Sequence, residues 1–213
     1  DDPFGITLHK DKLSEPLKWR KPQMVFVCSM GDLFHEDVPD AWLDQIFWEM
    51  GHTHQRHTFL ILTKRPERMR DWLLQAYRGN APYPNIWLGV TVENQEMADK
   101  RIPMLLQAPA AKRFISVEPM LGPVDLNKWF YLHGPSTGFW YDCLGRKRGG
   151  GGIGGDAFSV VLSKDIDWVI CGGETGPKAR PIHPGWVRSL RDQCKEADVP
   201  FFFKSWGEWL PDN

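Results

Sequence analysis

The sequence predicts a parallel α/β fold in a single domain, and three observations carry that expectation. Six short runs rich in β-branched and aromatic residues recur along the chain. Four of the five connections between them show apolar residues at helical spacing. Each run ends in a polar group at the same relative place. Strands joined by helices lie parallel, with right-handed crossovers. A (β/α) barrel, a partial barrel and an open doubly wound sheet all satisfy this pattern. At 213 residues the chain is long enough for one domain with a sizeable core.

Residues 1–21 lack a clear period and read as a loop with room for a short helix, anchored by Leu8, Leu13 and Leu17. Five consecutive apolar residues, Met24, Val25, Phe26, Val27 and Cys28, then predict a strand buried on both faces. Ser29, Gly31 and Asp32 are turn formers and end it. Asp37 as a cap and Pro39 in the first turn open a helix. Its apolar face is Trp42, Leu43, Ile46, Phe47 and Met50, and Gly51 ends it. The second strand, 58–63, runs into Lys64, Arg65 and Pro66, and a helix follows with Met69, Trp72, Leu73, Ala76 and Tyr77 on one face.

The third strand, 86–91, is followed by Glu93 and Asn94, then by a helix carrying Met97, Ala98, Ile102, Leu105 and Leu106, with Pro103 as a kink or restart. The fourth, 113–118, stops at Pro119, and residues 121–132 hold at most a short helix. The fifth, 168–171, runs into Gly172, Gly173 and Glu174. The last helix starts near Pro184 with Trp186, Val187, Leu190 and Cys194 on one face, and the sixth strand, 200–204, leads to Ser205, Trp206 and Gly207.

Residues 134–165 differ from the rest. They combine Pro, Ser, Gly and aromatics with the basic cluster Arg146, Lys147 and Arg148, and six of the seven residues from 149 to 155 are glycine. Such a composition cannot build a core, so it is read as a flexible insertion, most mobile over 145–155. A glycine-rich phosphate loop would need a strand before the glycines and an amphipathic helix after them, and neither is present in the pattern.

With 26 basic and 27 acidic residues the net charge is −1, which gives no bulk electrostatic case for nucleic acid. Eleven Trp point to aromatic packing or stacking surfaces. The four cysteines, Cys28, Cys143, Cys171 and Cys194, are far apart and have neither metal-ligand spacing nor a disulfide pattern. Cys28 and Cys171 lie in apolar strand patterns, where a free thiol acts as a small hydrophobe. A reducing, cytoplasmic setting fits, since no signal peptide and no apolar run of membrane-spanning length is present. The chain opens on Asp1 without Met and is read as a fragment of a slightly longer domain, or a processed product.

In a parallel sheet, ligands bind beyond the carboxyl ends of the strands. Those ends supply Ser29, Asp32, Lys64, Arg65, Glu93, Asn94, Glu118, Glu174 and Lys204. For any single residue, a helix cap or a solvated loop end explains the position as well as function does. The repetition of a polar group at every strand end favours an active-site composition. Lys64, Glu118, Glu174 and Lys204 are the candidate catalytic groups. Lys64 and Arg65 precede a helix N-terminus, which suits an anion. Gly172 and Gly173 let backbone approach a ligand closely beside Glu174. His52, His54 and His57 have no acid or Cys beside them and belong to the opposite end of the sheet, so they read as a solvated loop. No G-x-S-x-G elbow exists, and a Ser-His-Asp triad is not indicated.

Read in order, the strand-end motifs resemble one family. They are Val27-Cys28-Ser29-Met30-Gly31-Asp32-Leu33-Phe34-His35, Leu62-Thr63-Lys64-Arg65-Pro66-Glu67-Arg68-Met69, Trp87-Leu88-Gly89-Val90-Thr91-Val92-Glu93-Asn94, Ser116-Val117-Glu118-Pro119-Met120-Leu121-Gly122-Pro123, Trp168-Val169-Ile170-Cys171-Gly172-Gly173-Glu174 and Phe201-Phe202-Phe203-Lys204-Ser205-Trp206-Gly207. The set is similar to the phage protein family named after gene products 37 and 68, whose members look like radical S-adenosylmethionine proteins. The resemblance implies a partial (β/α) barrel, TIM-like, with six strands in this chain and the family's first strand and its C-x-x-x-C-x-x-C-type cluster loop missing from it. It implies S-adenosylmethionine as cofactor, and a four-iron four-sulfur cluster only in a chain extended upstream. By strand order, the segment from Ser29 to Asp32 would meet the methionine amino group. Thr91, Glu93 and Glu118 would meet the ribose and the methionine carboxylate, with Asn94, Gly172 and Gly173 beside them. No residue of this chain is implied as a metal ligand. A nucleic-acid-associated phage accessory protein without redox chemistry is the alternative, on the Trp content, the 146–148 basic cluster and the Lys64, Arg65 pair. No membrane partner is expected.

Overall fold

The computed structural model describes residues 6–53, 56–127, 129–130, 139–142, 147–150 and 166–209. Two four-residue helices, α1 (Lys10–Leu13) and α2 (Glu15–Lys18), precede β1 (Met24–Val27). Then follow α3 (Asp40–His52), β2 (Thr58–Thr63), α4 (Pro66–Tyr77), β3 (Ile86–Thr91), α5 (Gln95–Gln107) and β4 (Lys112–Val117). Three short strands, β5 (Trp129–Phe130), β6 (Phe139–Asp142) and β7 (Lys147–Gly150), precede β8 (Trp168–Gly172), α6 (Pro184–Glu196) and β9 (Phe201–Ser205). The main sheet has six strands in the order β1-β2-β3-β4-β8-β9. β1 pairs with β2, β2 with β3, β4 with β8 and β8 with β9, each in parallel. This sequential order is that of a partial (β/α) barrel. A doubly wound sheet would reverse its strand order at a switch point.

The chain forms two compact units: 1–90 with 107–112, and 91–106 with 113–213. In the first, β1 and β2 pair from Met24 with Thr58 to Val27 with Ile61. Its core is built on α3, α4 and β2. Phe34, Phe47 and Trp72 form an aromatic cluster with ring centroids 4.7–6.3 Å apart. Leu33 and Phe34 are buried, so the loop after β1 is anchored at its middle. Arg68 on α4 donates to the carbonyls of His35 and Val38 and pairs with Asp40, fixing the rest of that loop. Asp37 does not cap α3. The helix begins later, after Pro39, with no side-chain cap.

Two expectations for this unit are corrected. β1 is not buried on both faces: Met24 is 58% and Phe26 41% exposed, Val25 and Val27 are half-buried, and Cys28 is exposed. An apolar run reports composition, whereas burial depends on neighbours, and β1 stands at the edge of the sheet. His57 is not solvated either. It is 1% exposed, its Nδ1 accepts from the Gln23 amide, and its ring packs edge-on against Trp19 and Phe59. His54 lies outside the described residues.

In the second unit, β4, β8 and β9 bury Phe114, Ile115, Val117, Val169 and Cys171. On α6, Val187, Leu190 and Cys194 face the core, as the helical spacing predicts. Pro103 lies inside a continuous α5. Gln193 on α6 accepts from the Leu126 amide and donates to the Val124 carbonyl, tying down the 121–127 segment, which forms no helix. Residues 129–130, 139–142 and 147–150 form a small antiparallel sheet, its first strand within 121–132, where the sequence predicts at most a short helix, and the other two within the stretch that reads as a flexible insertion. Its aromatic run Phe139, Trp140 and Tyr141 has strand propensity that the surrounding glycines mask. The rest of 134–165, including 151–155, where most of the glycines and the predicted mobility fall, lies outside the described residues. Among the described residues, no helix is long and apolar enough to cross a membrane.

Candidate functional site

In the first unit the strand-end chemistry gathers on Asp32. Its Oδ1 accepts from the Phe34 amide at 3.0 Å and the Thr63 hydroxyl at 2.7 Å. Its Oδ2 accepts from the Lys64 amide at 3.0 Å and the Arg65 guanidinium at 3.1 Å. A carboxylate has about four acceptor sites, and these four donors fill them. Asp32 therefore binds the loop after β1 to the end of β2, with its side chain only 14% exposed. Ser29 is exposed in a turn closed by the Gly31 amide on the Cys28 carbonyl, and Lys64 is exposed at the start of the loop before α4. Cys28 sits at φ 52°, and partial desolvation, then the Asp32 charge, push its thiol pKa up.

The second unit holds the other eight predicted residues. Glu93 pairs with Arg101 of α5 at 2.7 Å, and both side chains are nearly buried. Arg101 also donates to the Thr91 carbonyl. Thr91 is 4% exposed, which leaves a ligand little of it to touch. Asn94 accepts from the Met97 amide, a helix N-cap. Glu174 pairs with Arg180 at 2.7 Å and accepts from the Arg180 amide at 2.8 Å. The hydrogen bonds from Arg180 hold its carboxyl down at about 2.

Glu118 and Lys204 pair with each other. Glu118 follows β4 and Lys204 lies on β9, with β8 between them. Their carboxylate and ammonium meet at 2.7 Å, with the side chains 23% and 57% exposed. Gly172, the last residue of β8, lies next to the Glu118 side chain. A Cβ there would come within 3.1 Å of the Glu118 carboxyl carbon. Gly173 serves the chain itself: a Cβ there would meet the Trp206 carbonyl oxygen at 2.0 Å. The glycine pair thus allows β8 to close against Glu118 on one side and the loop after β9 on the other.

Sequence reasoning named the acids but missed their partners Arg101 and Arg180. Arg101 lies two helical turns beyond the Asn94 cap, a spacing that returns it to the helix start. Arg180 lies beyond a Gly176, Pro177 turn that folds it back on Glu174. Arg68, which fixes the loop after β1, carried no signal beyond its place on α4.

Among the described residues, no arrangement that could hold a four-iron cluster is present. Such clusters are held by Cys thiolates; Cys171 and Cys194 are buried, and desolvation pushes their thiols up to about 12. Cys171 donates its thiol to the Met120 sulfur. Among the described residues, no group of three His, Cys, Asp or Glu could hold a metal ion.

Sequential strand order and polar strand-end loops define a parallel α/β protein of the partial (β/α)-barrel class. The chain belongs to the family described as "Protein of unknown function (DUF5131)", whose model matches residues 3–213. Comparison with curated proteins and with solved structures gave no match.

Proposed function

We propose that the chain is a phage-type protein of the group named after gene products 37 and 68, and that it binds S-adenosylmethionine as part of a radical S-adenosylmethionine-type enzyme. The observation that carries the reading is the Glu118–Lys204 pair across Gly172. An ammonium and a carboxylate side by side are complementary to the α-amino acid end of the cofactor. Lys204 would take the methionine carboxylate and Glu118 the methionine ammonium. An exposed ion pair of this kind is worth at most about 1 kcal/mol, so exchanging one internal contact for two external ones costs little. Since no group of the described residues could hold a cluster, no step is assigned to one. The role of these residues is to bind and orient the cofactor.

Equilibrium dialysis with radiolabelled S-adenosylmethionine tests the reading. Binding that falls about tenfold in Glu118→Gln and in Lys204→Ala, and that free methionine competes for, supports it. No binding at millimolar cofactor, or binding indifferent to both substitutions, overturns it. Retention of single-stranded DNA or RNA that weakens steeply with salt would then favour the nucleic-acid reading.

A further inference from the structure

We propose that the first unit carries a ligand site of its own, for an apolar molecule bearing one ammonium group. A cavity of ≈ 910 Å³ lies between residues 6–16, β1 and α3. Its wall is largely apolar, with Leu13, Val25, Val27, Trp42, Ile46 and Phe59 among the lining. Sites for small molecules have about this volume and character, with a few placed polar groups.

The placed group is Glu49. It lies on the same face of α3 as Trp42 and Ile46, and its Oε2 is buried with no hydrogen-bond partner. The other charged groups in the wall are answered. Asp32 is paired with Arg65, and Lys12 with Glu15 and Asp11. Among the Asp, Glu, Lys and Arg side chains of the lining, Glu49 is the one without an ion-pair partner. It also lies in the last turn of α3, where the helix dipole is already negative. A buried carboxylate oxygen without a donor is costly. An ammonium in the cavity beside Glu49 would compensate its charge and the helix dipole, while its apolar body covers the wall. An anion would meet Glu49 unfavourably, and a neutral molecule would leave the charge unpaired.

The test uses the whole chain and three matched probes: 4-phenylbutylamine, 4-phenylbutanol and 4-phenylbutyrate. In isothermal titration calorimetry the amine should bind at least about tenfold more tightly than the alcohol, and the carboxylate more weakly than either. Glu49→Gln should bring the amine within about threefold of the alcohol, whereas Glu67→Gln on the exposed face of α4 should leave the preference intact. Ile46→Trp, which places bulk one helical turn from Glu49, should weaken amine and alcohol together with Glu49 in place. If Glu49→Gln does not fold, Glu49→Asp is read in its stead and should lower the preference. Equal binding of amine and alcohol, no amine binding at millimolar concentration, or a folded Glu49 variant that keeps the full preference would overturn the site.

Discussion

Replacing Asp32 by Ala separates a structural joint from a cofactor ligand. The substitution removes one carboxylate and strands four donors: the Phe34 and Lys64 amides, the Thr63 hydroxyl and the Arg65 guanidinium. Hydrogen bonds to a charged group contribute roughly 1.5–3 kcal/mol each, but they are not additive, and the loop donors can turn to water. Thr63 cannot do so readily, since it is 1% exposed. A loss of about 3 kcal/mol is expected. For a chain of this size that is a fall in Tm of about 6–12 °C. Asp32→Asn keeps one acceptor oxygen but turns an amide donor towards other donors, so it should cost about 2 kcal/mol. Urea unfolding followed by Trp fluorescence measures both. A stability change under about 0.5 kcal/mol for Asp32→Ala, together with loss of S-adenosylmethionine binding, would refute the joint and restore Asp32 as a ligand.

Gly173→Ala should destabilise by about 3 kcal/mol, because its Cβ would collide with the Trp206 backbone, while Gly31→Ala, with nothing within 4 Å, should be nearly neutral; thermal melts compare the two. The Glu174 carboxyl, followed by NMR, should titrate near 2, and Arg180→Ala should return it to about 4.3. Its folded-state pKa is depressed, so the pair's contribution is present above the unfolded value and disappears as pH falls through about 2. Acid-unfolding curves of wild type and Arg180→Ala should therefore differ above that range and converge below it. Finally, β1 presents Met24 and Phe26 at a sheet edge, so the chain should self-associate as concentration rises, and Phe26→Lys should reduce this in sedimentation velocity. A wild-type chain that stays monomeric under all conditions would refute the edge argument.

The positions of strands and helices were legible because period and punctuation are local. The apolar face of α6 and the start of α4 at Pro66 follow directly from spacing. What failed depends on distant neighbours. Nothing in Met24, Val25, Phe26, Val27 and Cys28 says that one side of the strand lacks a partner. Nothing in His57 says that Gln23, 34 residues away, donates to its ring. The strand-end acids were visible as acids, but their engagement was not. Asp32 is held by residues more than 30 positions away, and Glu118 meets Lys204 across 86. Asn94 carried the opposite ambiguity: its place before a helix fits a cap as well as a ligand, and the cap is what the structure contains.

The backbone bonds among the loops of the second unit have a dynamic consequence. The Leu121 amide donates to Glu93, Met120 to Gly172, Gly173 to Ser205 and Glu208 to Glu174. Four consecutive strand-end loops are thus laced edge to edge, each by main-chain atoms that no side-chain substitution removes. Such a mesh has no hinge of its own. Its amides should exchange with solvent as one cooperative block rather than loop by loop, and a ligand settling on Glu118 and Lys204 would meet a surface already set, with little conformational entropy left to lose.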